Sequence, residues 1–146
     1  MENPEEKRTP LEDFALLLRY RWSVREREVL RRQMEALDNP WYERPDPRGS
    51  GMFMKGMARR RADCGAALQR REAQCAEDEE AFERLMEGVS MPRTRLVLRQ
   101  YYGMGMSDRE IGEMNGFCTR TAGKIRNDWL REHGCVDGPD PGRRPA

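Results

Sequence analysis

Cationic and amide side chains recur along one face of a predicted helix near the end of the chain. Their spacing of three or four residues places Arg120, Lys124, Asn127 and Arg131 on one side of a helix over 119–133. Arginine can pair with guanine through two hydrogen bonds, and asparagine can do the same with adenine. These residue types on one face are typical of a helix that lies in the major groove of DNA.

Three further residues complete the candidate DNA-binding set. Thr119 and Thr121 fall in the first turn of the same helix, where threonine can contact a phosphate or a thymine methyl. Arg109, near the start of the preceding helix, is a candidate phosphate contact. Each side chain taken alone is more often a solvated surface group, so the prediction depends on the joint pattern. A plain three-helix bundle with a polar face is the alternative.

Local signals predict a helix-turn-helix around these residues. Ser107 and Glu110 form a capping box that starts a helix over 108–115. Asn115-Gly116 tolerates left-handed backbone geometry and ends that helix tightly. We expect a close helix approach at Gly112, an inward side chain at Phe117 and an N-cap at Cys118. The predicted buried side chains are Ile111, Met114, Ala122, Ile125 and Trp129.

A third short helix and two long helices precede this unit. The short helix should begin at Pro92 with Ser90 as its N-cap, which makes 90–134 a three-helix domain. The long helices are predicted over 11–37 and 53–89, joined by a proline-bearing linker at 38–52. The first carries an apolar stripe of Ala15, Leu18, Trp22, Val29 and Ala36, broadened by Phe14, Leu17, Leu30 and Leu37. The second carries Met57, Cys64, Leu68, Cys75, Phe82, Leu85 and Val89.

The predicted fold is therefore all-α, with a helical hairpin or coiled coil over 11–89 before the helix-turn-helix domain. Neither stripe can be buried alone, so the long helices must pack on each other or on another chain. A structural extension and a homodimer both fit this pattern. We expect a flexible N-terminus over 1–10 and a disordered tail over 135–146.

Composition excludes several functional classes. The net charge is only +1, yet residues 91–134 hold eight Lys or Arg and five Asp or Glu, a net charge of +3. The acidic run 77–87 is predicted to be a solvated face. No window approaches the roughly 20 apolar residues of a membrane span. Four cysteines without a Cys-x-x-Cys pair indicate reduced thiols in the cytoplasm rather than a zinc site. The single histidine suggests no catalytic arrangement, so we predict neither an enzyme nor a cofactor or metal.

Residues 93–134, RTRLVLRQYYGMGMSDREIGEMNGFCTRTAGKIRNDWLREHG, resemble the region-4-type helix-turn-helix of sigma-70-related proteins. The similarity lies in the arginine-rich lead helix, the Ser-x-x-Glu-Ile start and the short turn. The upstream layout resembles RinA- and ArpU-like phage transcription activators. By position, the residues that the resemblance implies face DNA are Thr119, Arg120, Thr121, Lys124 and Asn127. The residues that depart from the usual pattern are Gly112, Cys118 and Gly123.

The resemblance implies a sequence-specific regulator of late phage or prophage genes in a bacterial host cell. Its partners would be double-stranded DNA and RNA polymerase. Two other hypotheses stay open. A phage packaging subunit of the small terminase type would bind DNA as a ring, and a helical adaptor would bind a protein and no DNA. Oligomer size and DNA binding distinguish the three.

Overall fold

The computed structural model describes residues 8–38 and 51–135 of the chain, and within these ranges the protein is all-α, as predicted. The helices are α1 Pro10–Leu37, α2 Gly51–Glu87, α3 Pro92–Leu98, α4 Asp108–Asn115 and α5 Thr119–Glu132. A π-helical turn, Arg99–Gly103, continues α3. Of the predicted N-terminal segment, linker and tail, residues 1–7, 39–50 and 136–146 lie outside the described residues. Cys135, the first residue assigned to the tail, is buried.

The helix starts follow local capping chemistry in α1 but not in α3. The Thr9 hydroxyl accepts a hydrogen bond from the Glu12 backbone N–H at 3.2 Å, and Pro10 occupies the first helical position. The predicted cap of α3 is wrong, because the N-cap is Met91 and Ser90 lies one residue outside. Pro92 alone, with its fixed φ, sets that start.

α1 and α2 pack as an antiparallel hairpin. Arg19 of α1 contacts Asp78 of α2 at 2.9 Å, whereas Leu37, at the end of α1, accepts a hydrogen bond from Arg61 at 2.8 Å. The residue numbers of the contacting positions thus fall along α2 as they rise along α1, so the two helices run antiparallel. The predicted hairpin is present, and long-range polar contacts fix its register.

Asp78 is the buried carboxylate of this hairpin, so the prediction that the acidic run 77–87 is a solvated face is wrong at this residue. Arg19 donates two hydrogen bonds to it, at 3.0 and 2.9 Å, and Gln74 donates another at 3.0 Å. Burial raises the pKa of Asp78, but the hydrogen bonds from Arg19 and Gln74 outweigh burial and leave that pKa below its usual value. The contact therefore stabilises the ionised form and the register together.

The predicted packing stripe of α1 is right only at its edge, where Leu17 is buried and Phe14 packs on the core, and it is wrong at its centre. Leu18, Trp22 and Val29 are largely exposed, and the side that packs on the rest of the molecule buries others. The buried apolar residues of α1 are Leu16, Leu17, Tyr20 and Val24. The physical reason is that α1 carries apolar side chains on two opposite sides, and periodicity alone does not say which side meets α2.

One hydrophobic core joins the hairpin to the C-terminal helices. The rings of Tyr20 of α1 and Phe82 of α2 pack at a tilt of 37° with centroids 4.6 Å apart, and Tyr102 of the π-helical turn belongs to the same cluster. Leu130 of α5 completes it, whereas a smaller cluster lies between α3, α4 and α5. Of the predicted seam residues, Cys75 and Phe82 of α2 are buried, and so is Val89, two residues beyond its end. No helix of the described residues has the length and hydropathy of a membrane span.

Candidate nucleic-acid interface

The start of α4 and the turn that follows it have the predicted geometry. Ser107 accepts a hydrogen bond from the Glu110 backbone N–H at 3.2 Å, and the Glu110 carboxylate accepts one from the Ser107 backbone at 3.2 Å. These bonds lower the pKa of Glu110. α4 ends at Gly116, whose φ of +79° is the left-handed conformation that glycine adopts without strain. The capping box and the glycine stop are confirmed.

Gly112 allows the turn to close against α4. A Cβ atom at this position would lie 2.3 Å from the Phe117 carbonyl oxygen, which is inside any real contact distance. The Phe117 backbone N–H donates to the Gly112 carbonyl oxygen at 3.0 Å. The predicted close approach is therefore present, but its partner is the backbone of the turn rather than the next helix.

The packing side of α5 was predicted in part. Ala122 is fully buried, Ile125 and Trp129 are half-buried, and Leu130, which the sequence pattern missed, is buried. The prediction for α4 failed at Met114, which is exposed. Met114 lies to the side of the α4 face that carries Ile111, and its sulfur accepts a hydrogen bond from Gln100.

Six of the seven predicted DNA-binding residues share one surface, which we call the α5 outer face. They line a shallow depression of about 670 Å³. These residues are Thr119, Arg120, Thr121, Lys124, Asn127 and Arg131. The seventh, Arg109, lies apart on α4, where it is largely exposed and contacts Glu113 at 3.1 Å. The structure thus brings the α5 residues together and leaves Arg109 beside them.

Two aspartates border the same depression, and the sequence analysis missed both. Asp128 forms an ion pair with Arg131, one turn along α5. Asp108, the first residue of α4, forms an ion pair with Arg126 on the inner side of α5. The most exposed positive charge on the α5 outer face therefore belongs to Arg120 and Lys124.

Gly123 lets the start of α4 approach α5. A Cβ atom here would meet the Asp108 carboxylate at 3.2 Å, a tight contact. A glycine in the middle of a helix costs up to about 1 kcal/mol of helix propensity. The absence of a side chain at Gly123 therefore leaves room for the Asp108 carboxylate.

Arg126 anchors α5 and does not belong to the outer face. Its side chain is only 13% exposed, and its guanidinium carbon lies 3.8 Å from the ring centroid of Tyr101. The guanidinium of Arg21, from α1, lies 4.0 Å from the same centroid and donates to the Met106 carbonyl oxygen at 3.2 Å. Burial lowers the pKa of Arg21. The signal that could have found Arg126 is its spacing, four residues after one buried residue and four before another.

A second anchor joins the end of α5 to the start of α1. The His133 ring stacks on Trp129 with centroids 4.7 Å apart, and its Nε2 lies 2.9 Å from the Asp13 carboxylate. The end of α5 thus contacts α1 directly at His133, whereas Arg126 and Arg21 of α1 lie against the same Tyr101 ring. The hairpin therefore holds the candidate interface in place.

Cys118 occupies the N-cap of α5, as predicted, beside the α5 outer face. It is exposed, and its sulfur lies 3.0 Å from the Thr121 hydroxyl oxygen. This hydrogen bond lowers the pKa of the Cys118 thiol. The Thr121 side chain is thereby oriented toward the start of the helix, where a threonine that contacts a phosphate would lie.

The α5 outer face is thus a polar helix face whose most exposed positive charge comes from Arg120 and Lys124. Comparisons of the chain with family models, with curated proteins and with solved structures gave no match.

Proposed function

We propose that the protein is a sequence-specific DNA-binding regulator that places α5 in the major groove. The observation that carries this proposal is the α5 outer face, where six side chains of DNA-contacting type surround one depression. A helix of this kind needs an exposed polar side for the bases and an opposite side that fixes its direction. α5 has both, because Arg120 and Lys124 are exposed while Ala122 and Leu130 are buried.

The residues of the α5 outer face are suited by their chemistry to different parts of DNA. Arg120 and Asn127 carry the planar groups that pair with base edges, whereas Lys124 and Arg131 contribute charge toward phosphates. Thr119 and Thr121, in the first turn, are placed for the backbone or a thymine methyl. Arg109 on α4 extends the charged surface toward the adjacent phosphates. Phosphate contacts position the helix and base contacts give the sequence preference.

The biological setting of the proposal comes from the sequence resemblance. A sigma-70 region-4-like helix-turn-helix behind a helical hairpin favours a regulator of late phage or prophage genes, acting in the cytoplasm of a bacterial host. RNA polymerase as a partner and homodimerisation through the hairpin stay predictions.

A salt series with the full chain tests the proposal. Affinity is measured for a random duplex and for duplexes that flank its own gene, at several salt concentrations. We expect the logarithm of affinity to fall linearly with the logarithm of salt concentration, because phosphate contacts release counterions. We also expect one fragment to be preferred.

The other outcomes overturn the proposal in different ways. Salt-dependent binding without any preference would replace the regulator with a packaging or architectural protein. The absence of binding at low salt would leave the helical adaptor as the better account.

A further inference from the structure

The outer side of α1 carries an apolar stripe that lies away from the core. We call Leu11, Ala15, Leu18, Trp22 and Val29 the α1 outer stripe. Trp22 is 66% exposed and Leu11 64%, whereas Tyr20, about 200° around the helix from Leu18, is buried. The stripe follows spacings of four, three, four and seven residues, which is the pattern of a coiled-coil seam.

We propose that a second copy of this chain packs antiparallel on the α1 outer stripe. The spacing of a seam fits a partner helix with the same spacing, and a second α1 presents it along the same length. A two-fold pair also buries both tryptophans at once, since the same surface serves on both copies. The charges in and beside the stripe decide between the arrangements that spacing alone permits.

The charges within the seam oppose a parallel pair. Arg25 and Arg32 occupy the positions that continue the stripe through its gap at residue 25 and beyond Val29. In a parallel pair each residue faces its own copy, so Arg25 would meet Arg25 and Arg32 would meet Arg32. Like charges that face each other across a seam are destabilising, and no apolar contact would compensate at those two layers.

The charges beside the seam choose one antiparallel register. With a two-fold axis at residue 20, Leu18 of one copy faces Trp22 of the other within the seam. At the positions that flank the seam, Arg19 then lies opposite its own copy and Glu12 lies opposite Glu26, which pairs like charges. An axis one half-heptad further, between residues 23 and 24, sets Arg19 of each copy opposite Glu26 of the other. Arg19 is 52% exposed although it pairs with Asp78, and Glu26 is 35% exposed although it pairs with Arg71 at 3.0 Å. The contact between the two copies would therefore add to two existing ion pairs.

The same register gives the seam its apolar contacts. Leu18 of one copy faces Val29 of the other, and Trp22 faces Arg25. An arginine over an indole ring is a favourable cation–π contact, whereas with the axis at residue 20 Arg25 would face Ala15 and gain no such contact. The charges beside the seam and the side-chain contacts within it therefore favour the same register. The inference concerns α1 alone, and it stands or falls independently of DNA binding.

The mass of the full chain in solution tests the interface. We expect the wild type to sediment as a dimer, and Trp22→Glu and Leu18→Glu to sediment as monomers with unchanged helicity, because both positions are exposed. Met91→Glu is the matched control, since Met91 is 63% exposed but lies outside α1, and it should remain a dimer. A monomeric wild type, or dimeric Trp22→Glu and Leu18→Glu proteins, would overturn the proposal.

Disulfide cross-linking tests the direction. Leu18→Cys and Val29→Cys are prepared separately with the exposed Cys118 changed to Ser, and one of the two proteins carries a size tag. The antiparallel register predicts a cross-linked heterodimer when the two proteins are mixed and oxidised. Efficient cross-linking of either protein with itself would instead indicate a parallel pair and contradict the assigned register.

Discussion

The inner and outer sides of α5 both carry arginine, but the two sides do different things. Arg126, on the inner side, lies against Tyr101 and pairs with Asp108. Arg120, six residues earlier, is exposed on the α5 outer face. The Arg126 side chain stabilises the fold, whereas the Arg120 side chain is exposed and can contact a ligand. Residue type alone therefore does not identify a nucleic-acid contact, because burial and partners decide it.

This difference shows which side of α5 fixes the direction of the helix and which side remains exposed. The inner side connects α5 to α4 through the ion pair of Arg126 with Asp108, and the end of α5 to the hairpin through His133, which contacts Asp13. The outer side makes few contacts with the rest of the described protein. Changes on the inner side should therefore reduce stability, whereas changes on the outer side should reduce DNA affinity and leave stability unchanged.

The largest expected effect is that of Gly112→Ala on the inner side of the turn. The new Cβ would overlap the Phe117 carbonyl oxygen, so the backbone of the turn would have to move. We expect a loss of about 3 kcal/mol in the free energy of unfolding, measured by chemical denaturation. Gly56→Ala is the control, since a Cβ there meets open space, and it should stabilise by up to about 1 kcal/mol. A Gly112→Ala protein as stable as the wild type would contradict the described turn.

A smaller loss is expected for Arg126→Met. The variant keeps an apolar stem but removes the ion pair with Asp108 and the cation–π contact with Tyr101. We expect a loss of about 1–2 kcal/mol in the free energy of unfolding. The matched change Arg120→Met should lie within about 0.5 kcal/mol of the wild type, as exposed positions do. Equal losses in the free energy of unfolding for the two substitutions would contradict the claim that the two sides of α5 have different roles.

The smallest effect is expected on the outer side, for Asp128→Asn. This change removes a negative charge beside Arg131 without changing the shape of the side chain. Coulomb's law in a solvated setting predicts an increase in DNA affinity of about two- to threefold at low salt. Glu79→Gln, an exposed change on α2, makes the same charge difference and should have less effect. A weaker affinity for Asp128→Asn would mean that this carboxylate orients Arg131 productively.

The sequence predicted those elements that local chemistry determines. Ser107, Glu110 and Gly116 act within a few residues of themselves, so their capping box and turn could be recognised without knowledge of the fold. The packing side of α1 could not be recognised in this way, because two opposite faces carry apolar residues and only contact with α2 distinguishes them.

The same limit applies to the inner side of α5. Arg126 depends on Tyr101 and Asp108, which lie 25 and 18 residues earlier in the chain. Charge alone suggested a solvated side chain, whereas its spacing from Ala122 placed it on the packing side. The six residues of the α5 outer face could be predicted because helical spacing brings them together without any distant partner.

The central claim is that the α5 outer face binds DNA, and a charge-matched comparison tests it most directly. Affinity for a short duplex is measured for Arg120→Ala/Lys124→Ala and for the control Arg59→Ala/Arg60→Ala. The control removes the same charge from exposed positions of α2, roughly 23 Å along that helix before Cys75, the first residue of α2 in the core.

We expect the α5 double variant to lose at least about tenfold in affinity, and about one in the slope of log affinity against log salt from the lost phosphate contact of Lys124. The α2 control should bind nearly as the wild type does, and both variants should unfold at the wild-type temperature. Equal affinity of the α5 double variant and the wild type would contradict the claim that α5 is the recognition helix.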